Sequence, residues 1–227
     1  MFRQMRKSHW WRWLFLGVIS TGVILPLTWT VLASLGVQVN NTISPPSRSL
    51  PASFDGYLEI HSEQTFFWQE FATSILLSAL TTLTTVAVSF LAAYSLARTR
   101  FRWRRLVVQG CLVLASLPAV SFVFPLSDIL RAFRLHDTFI GVLLAECAVF
   151  APLAAYILHG YISQIPTEWE EAAYLDGAAL MQVLRDAVLP AVSPGVIATI
   201  VVVFVLSWNQ FYLPVILTAL RIRVIPV

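Results

Sequence analysis

Five apolar runs, each long enough to cross a bilayer, limit this chain to one class of fold. A spanning helix needs about 20 predominantly apolar residues to cover roughly 30 Å of hydrocarbon. The runs lie at 13–35, 71–97, 106–126, 139–161 and 192–213. With no water at that depth, backbone polar groups must be satisfied internally, which a helix does within its own segment. The chain therefore reads as an all-α polytopic membrane protein, with one transmembrane domain over 1–227. Its 58 % hydrophobic content fits no ordinary soluble domain.

Arg3, Arg6, Lys7 and Arg12 precede the first run, as they would in a secretory signal. The run is longer than a signal's apolar region, and Leu32-Ala33-Ser34-Leu35-Gly36 has no small-x-small cleavage site, so a retained span is expected. With the N-terminus inside, ten basic residues fall on inside segments, led by Arg98, Arg100, Arg102, Arg104 and Arg105, against five outside. Basic residues favour the cytoplasmic side, so the N-terminus is expected there. Clustered in this way, the positive charge describes membrane topology and no nucleic-acid surface. Trp10, Trp11, Trp13 and Trp103 flank spans as interfacial anchors would. The polar segment 36–70, with Pro45, Pro46 and Pro51, is too short to be a domain of its own.

Several chemistries drop out. Lys7 is the only lysine, so no GxxxxGK[ST] phosphate loop exists and any driving nucleotide must bind another subunit. Cys111 and Cys147 both lie inside spans, and no histidine pair has metal-ligand spacing. Neither a nucleophile elbow nor a pair of intramembrane carboxylates supports an intramembrane enzyme. No catalytic residue and no metal site are expected.

The segment 162–190 between the fourth and fifth runs behaves differently. Five acids and one arginine lie between Gln164 and Pro190. Thr167 and Glu170 have the spacing of a capping box, and Glu168, Glu170 and Glu171 suit the positive end of a helix. Gly177 is placed to stop that helix. Leu180, Val183, Leu184, Ala187 and Val188 then share one face of a second helix, which Pro190 closes. A helix resting on anionic lipid would be basic. The acids, with the low profile of Ala172 and Ala173, point to docking against a protein.

Glu171-Ala172-Ala173, Gly177 and Leu189-Pro190 keep the spacing of the EAA loop of ABC importer permeases, with Ala187 where the pattern has Ile. Asp176-Gly177-Ala178, Ser207 to Phe211, Leu117-Pro118 and Leu135 to Thr138 also resemble the carbohydrate-uptake, maltose-permease-like branch. That resemblance implies a type I importer permease fold in a bacterial inner membrane. It also implies a second homologous permease, an ABC ATPase dimer holding ATP and Mg, and an extracytoplasmic solute-binding protein. This chain would bind no cofactor and touch only those partners and lipid. Glu168, Glu171, Ala172, Ala173, Asp176, Gly177, Leu189 and Pro190 would form the ATPase-coupling loop. The solute would be a sugar or sugar-like compound, with a polyamine or phosphorylated polyol as the alternative, and a non-transporting assembly protein as a further one. The branch usually has six spans, so a chain with five reads as C-terminally short.

Candidates for the solute pathway are polar residues inside spans. Ser74, Ser78, Thr82, Thr85 and Ser89 form one helical stripe, suited either to close helix packing or to lining a pathway. Pro118 and Pro125 favour bends. Glu146 is an intramembrane acid, by type a functional candidate for the pathway; near the outer end of its span, the alternative is that it simply pairs or reaches water. Trp208, Asn209 and Gln210 could cover and hydrogen-bond a sugar, or Asn209 could bond a neighbouring helix.

Overall fold

The computed structural model describes residues 9–35, Phe54, 65–100 and 102–218. Arg3, Arg6, Lys7, Arg48, Arg221, Arg223 and the prolines at 45, 46 and 51 lie outside these residues. The chain divides into two compact units, Met1–Phe67 and Trp68–Val227.

In the first unit, α1 (His9–Ser34) is one helix of 26 residues. Its large apolar side chains, from Trp10 to Leu32, are exposed all round, as on a helix that faces lipid. The Thr21 and Thr30 hydroxyls donate to carbonyls four residues back in the same helix, so these two groups are satisfied without water.

The second unit is built around α5 (Phe139–Ile162). Around it stand α2 (Thr65–Arg98), α3 (Arg104–Ser116), α4 (Val123–Ala132), α8 (Ser193–Trp208) and α9 (Tyr212–Leu217). Between α5 and α8 come α6 (Glu168–Leu175) and α7 (Leu180–Ala191). One core cluster joins Ala93 and Ala97 of α2, Ala154 and Leu158 of α5, Val183 and Val188 of α7 and Val203 of α8. The other joins Leu77 of α2, Val123 and Leu130 of α4, Val142 of α5 and Leu213 and Leu217 of α9. Gly195 of α8 lies directly against the Tyr161 ring, leaving no room for a side chain where these helices cross. Among the described residues α1, α2 and α5 are long and apolar enough to cross a membrane alone, and two bent pairs bring the total to as many as five.

Both bent pairs correct the expected spans. The run 106–126 is not a single helix: α3 ends at Ser116, Leu117 and Pro118 are extended, and the next axis turns by 103°. Pro118 disfavours the α conformation for Leu117, which sets the break there. Pro125 lies in the first turn of α4, where a missing N–H costs little, and makes no bend. The run 192–213 is likewise interrupted. It begins at an 80° bend after α7 and stops at Trp208, and the chain re-forms a helix only at Tyr212. Pro214 explains that stop, because its ring excludes a continuous helix through Gln210.

Candidate functional site

The acidic segment forms a hairpin of two short helices, and its turn is set locally. Gly177 takes φ +83. Its N–H donates to the Tyr174 carbonyl at 3.0 Å, and the Ala178 N–H donates to the Ala173 carbonyl at 3.0 Å. These are the two bonds of a Schellman stop. On the far side, the Gln182 side-chain oxygen accepts from the Ala179 N–H at 2.8 Å and fixes the start of α7.

The expected capping box does not form. Thr167 is helical, at φ −68 and ψ −21, and its side chain caps nothing. Glu170 is instead only 4 % exposed. Its Oε1 accepts from Arg98 Nε at 2.7 Å and pairs with Nη2 at 2.6 Å, and its Oε2 accepts from the Tyr94 hydroxyl at 2.8 Å. Arg98 Nη2 also donates to the Ile165 carbonyl at 3.2 Å. A charged pair with every acceptor filled outcompetes a local cap. Glu170, Arg98 and Tyr94 therefore hold the hairpin to α2 from its buried side, away from its exposed face, and the coupling residues expected above did not include them. Arg98 was legible only as a basic residue ending a span.

Glu168, Glu171, Ala172, Asp176 and Gly177 lie exposed on the hairpin, and Ala173 is half-buried against the core. The hairpin also exposes apolar side chains, Leu175 at 89 % and Trp169, Leu180 and Met181. Leu180 thus departs from the buried face expected of α7, whereas Val183, Leu184 and Val188 keep to it. Leu180 is the first residue of α7, and a π turn over Val183–Val188 follows it. Leu189 and Pro190 follow it, both exposed.

A second polar group lies inside the bundle. Ser74, Ser78, Thr82, Thr85 and Ser89 are all buried, so the stripe on α2 faces the interior. Ser89 donates to the Ala151 carbonyl of α5 at 3.2 Å, a packing contact between helices. Glu146 is 0 % exposed and accepts from the Ser207 hydroxyl at 2.5 Å. Among the described residues its Oε1 has no hydrogen-bond partner, and neither has Gln210 Nε2. Ser74, Ser78, Glu146, Ser207, Trp208 and Gln210 border a cavity of about 10 Å³, room for roughly one water and none for a sugar ring. Trp208 packs edge-on to Phe71 and stacks with Phe204. Asn209 Nδ2 donates to the Val205 carbonyl of its own helix at 2.7 Å, and among the described residues it makes no bond to a neighbouring helix. Pro118 begins the 3-10 turn after α3, and Thr82 donates back to the Ser78 carbonyl.

Residues 85–225 match the model of the family described as binding-protein-dependent transport system inner membrane component. The chain is 32 % identical over 212 residues to the trehalose transport system permease protein SugB of Mycobacterium tuberculosis, covering 92 % of this chain and 76 % of that one. It is 29 % identical to the trehalose/maltose permease protein MalG of Thermococcus litoralis, covering 94 % and 78 %. With the sulfoquinovosyl glycerol permease protein SmoH of Agrobacterium fabrum the identity is 27 %, over 89 % and 71 %. A solved bacterial ABC transporter involved in import of the acidic polysaccharide alginate shares the fold. Its TM-score is 0.78 at 19 % identity, over 99 % of this chain and 79 % of that one.

Proposed function

The chain belongs to the binding-protein-dependent transport system inner membrane components, and from that premise we propose that it carries a sugar across the inner membrane as one permease of an ATP-driven importer. Trehalose- and maltose-like solutes head the substrate class, by likeness to the relatives above. A solute-binding protein delivers the solute, and a second permease completes the pathway. ATP and Mg bind a separate ATPase pair. The N-terminus and the α6–α7 hairpin share the cytoplasmic side.

The observation that carries this reading is the exposed face of α6, where Glu168, Glu171 and Leu175 follow one another at i, i+3 and i+7, with Asp176 exposed next to them. An exposed face that mixes acids with a bare leucine suits a protein cleft better than anionic lipid. Moving a two-state transporter from 1:99 to 99:1 takes about 5.5 kcal/mol of differential binding. A lever of this size transmits such energy only if its internal geometry holds, which the Schellman turn and the buried Glu170 provide. Ser78, Thr82, Pro118, Glu146, Trp208, Asn209 and Gln210 are proposed to border the pathway. Because the cavity at Glu146 admits no sugar ring, the pathway there is closed in this conformation.

Affinity purification of the tagged chain from its native membrane should bring down a homologous permease and an ABC ATPase. Vesicles holding that complex should take up labelled trehalose or maltose when ATP is inside and the binding protein outside. A complex without an ATPase, or one that transports polyamines and no sugar, would overturn the proposal.

A further inference from the structure

We infer that Arg98 is a positioning residue: it clamps α6 to the end of α2, so that movement of the hairpin passes into the bundle along α2. This rests on the reading of the hairpin as the ATPase-docking element, and adds the route by which force leaves it. Glu170 sits beside Glu171 in sequence but is withheld from docking, because Arg98 and Tyr94 occupy both of its carboxylate oxygens. Arg98 grips the hairpin at two points, the carbonyl of Ile165 before α6 and the carboxylate of Glu170 within it. The side chains of this pair are 15 % and 6 % exposed. By contrast, the Arg185–Asp186 pair at 3.8 Å has side chains 83 % and 70 % exposed, and pairs of that kind hold little.

Three routes lead from the hairpin into the bundle, and the one back along α5 carries Pro152 inside the helix. The route through α7 includes a π turn and an 80° bend before α8. The route through α2 is one unbroken helix with no internal proline. Tyr94 and Arg98 are one turn apart on the same face of its last turns, where a cation also suits the helix dipole. Ser78, bordering the Glu146 cavity, stands on the same helix about 30 Å away at 1.5 Å per residue. The clamp thus joins the cytoplasmic lever to the buried polar group by a single stiff rod.

The test uses the complete importer in vesicles, with Arg98→Gln, Glu170→Gln, the exchange Arg98→Glu with Glu170→Arg, and Glu171→Lys. Three quantities are read: ATPase co-purified, ATP hydrolysed with and without solute-loaded binding protein, and solute taken up. Arg98→Gln and Glu170→Gln should keep the ATPase at the wild-type ratio and continue to hydrolyse ATP. Their uptake should fall about tenfold or more, the scale of a lost charged hydrogen bond. The exchange should recover part of that loss, which a merely structural role for either residue does not predict. Arg98→Lys keeps the charge but lacks the fork that grips Glu170 and the Ile165 carbonyl together, and serves if the single variants do not accumulate; it should lower uptake while hydrolysis persists. Wild-type uptake by Arg98→Gln or Arg98→Lys would overturn the inference, as would loss of the ATPase from Glu170→Gln. Glu171→Lys isolates the premise: if it retains both ATPase and uptake, the docking reading fails, whatever the clamp variants do.

Discussion

Ser207 donates to Oε2 of Glu146 at 2.5 Å, joining α8 to α5 where neither side chain meets solvent. The other carboxylate oxygen has no hydrogen-bond partner among the described residues, and Glu146 borders, with Ser78 and Gln210, a space of one-water size. Removing one member of a buried hydrogen-bonded pair costs more than removing both, because the remaining group keeps its desolvation penalty. Ser207→Ala should therefore destabilise the detergent-solubilised protein by about 1–3 kcal/mol. Adding Glu146→Leu to it should restore most of the loss. Thermal unfolding of the two variants measures this, and a double variant weaker than the single would show that Glu146 is held by something other than Ser207.

Gly177 is the second position where a small change should act strongly. Its φ of +83 is disfavoured for residues with a Cβ, yet no atom lies within 4 Å of where one would stand. Any effect of substitution is therefore backbone strain, of about 1–2 kcal/mol for an ordinary residue. Asn tolerates that conformation better than Ala, and Ala better than Val. Solute-stimulated ATP hydrolysis should fall in the order Asn, Ala, Val, with membrane insertion unchanged in all three. Equal loss for Asn and Val would mean that the partner reads the glycine surface itself.

What was legible in the sequence follows the range of the forces involved. Gly177 could be read because a Schellman stop is decided within six residues. The fourth apolar run, 139–161, matches α5 to within a residue, since Thr138 caps it and no break interrupts it. Glu170 was read wrongly: the local pattern offers a capping box, whereas its partner Arg98 lies 72 residues away. The bend at Pro118 could be expected in kind, but its 103° depends on what α4 packs against. Period-3.6 reasoning does not anticipate the π turn over Val183–Val188, and periodicity alone does not show that Leu180, at the first position of α7, lies beyond the packed core.

Gly195 reports on the crossing of α5 and α8. A Cβ there would enter the Tyr161 ring, so Gly195→Ala must rotate the ring or separate the helices. Overpacking of this kind costs about 1–3 kcal/mol. Tyr161 is 39 % exposed and can swing outward, which places the cost toward the lower end. Combining Gly195→Ala with Tyr161→Ala should be less destabilising than the sum of the two single changes, as expected for residues in contact. Strict additivity in thermal unfolding would place the tight crossing elsewhere.

Pro190 accounts for the π turn that precedes it, and this can be tested directly. A proline has no N–H to offer the carbonyl four residues back, and its ring crowds that carbonyl. In the widened turn, the Leu189 N–H reaches the Leu184 carbonyl, five residues back. Pro190→Ala returns the missing donor and lets 183–190 close into an ordinary α register. Val183, Leu184 and Val188 are all buried in the π arrangement, so closing the turn must draw one of them from the core or twist the hairpin about Gly177. The variant should insert and retain its ATPase, gain hydrogen-exchange protection over 186–190, and transport more slowly than wild type. Unchanged exchange in that segment would show that packing of the three buried residues, and not Pro190, holds the turn open.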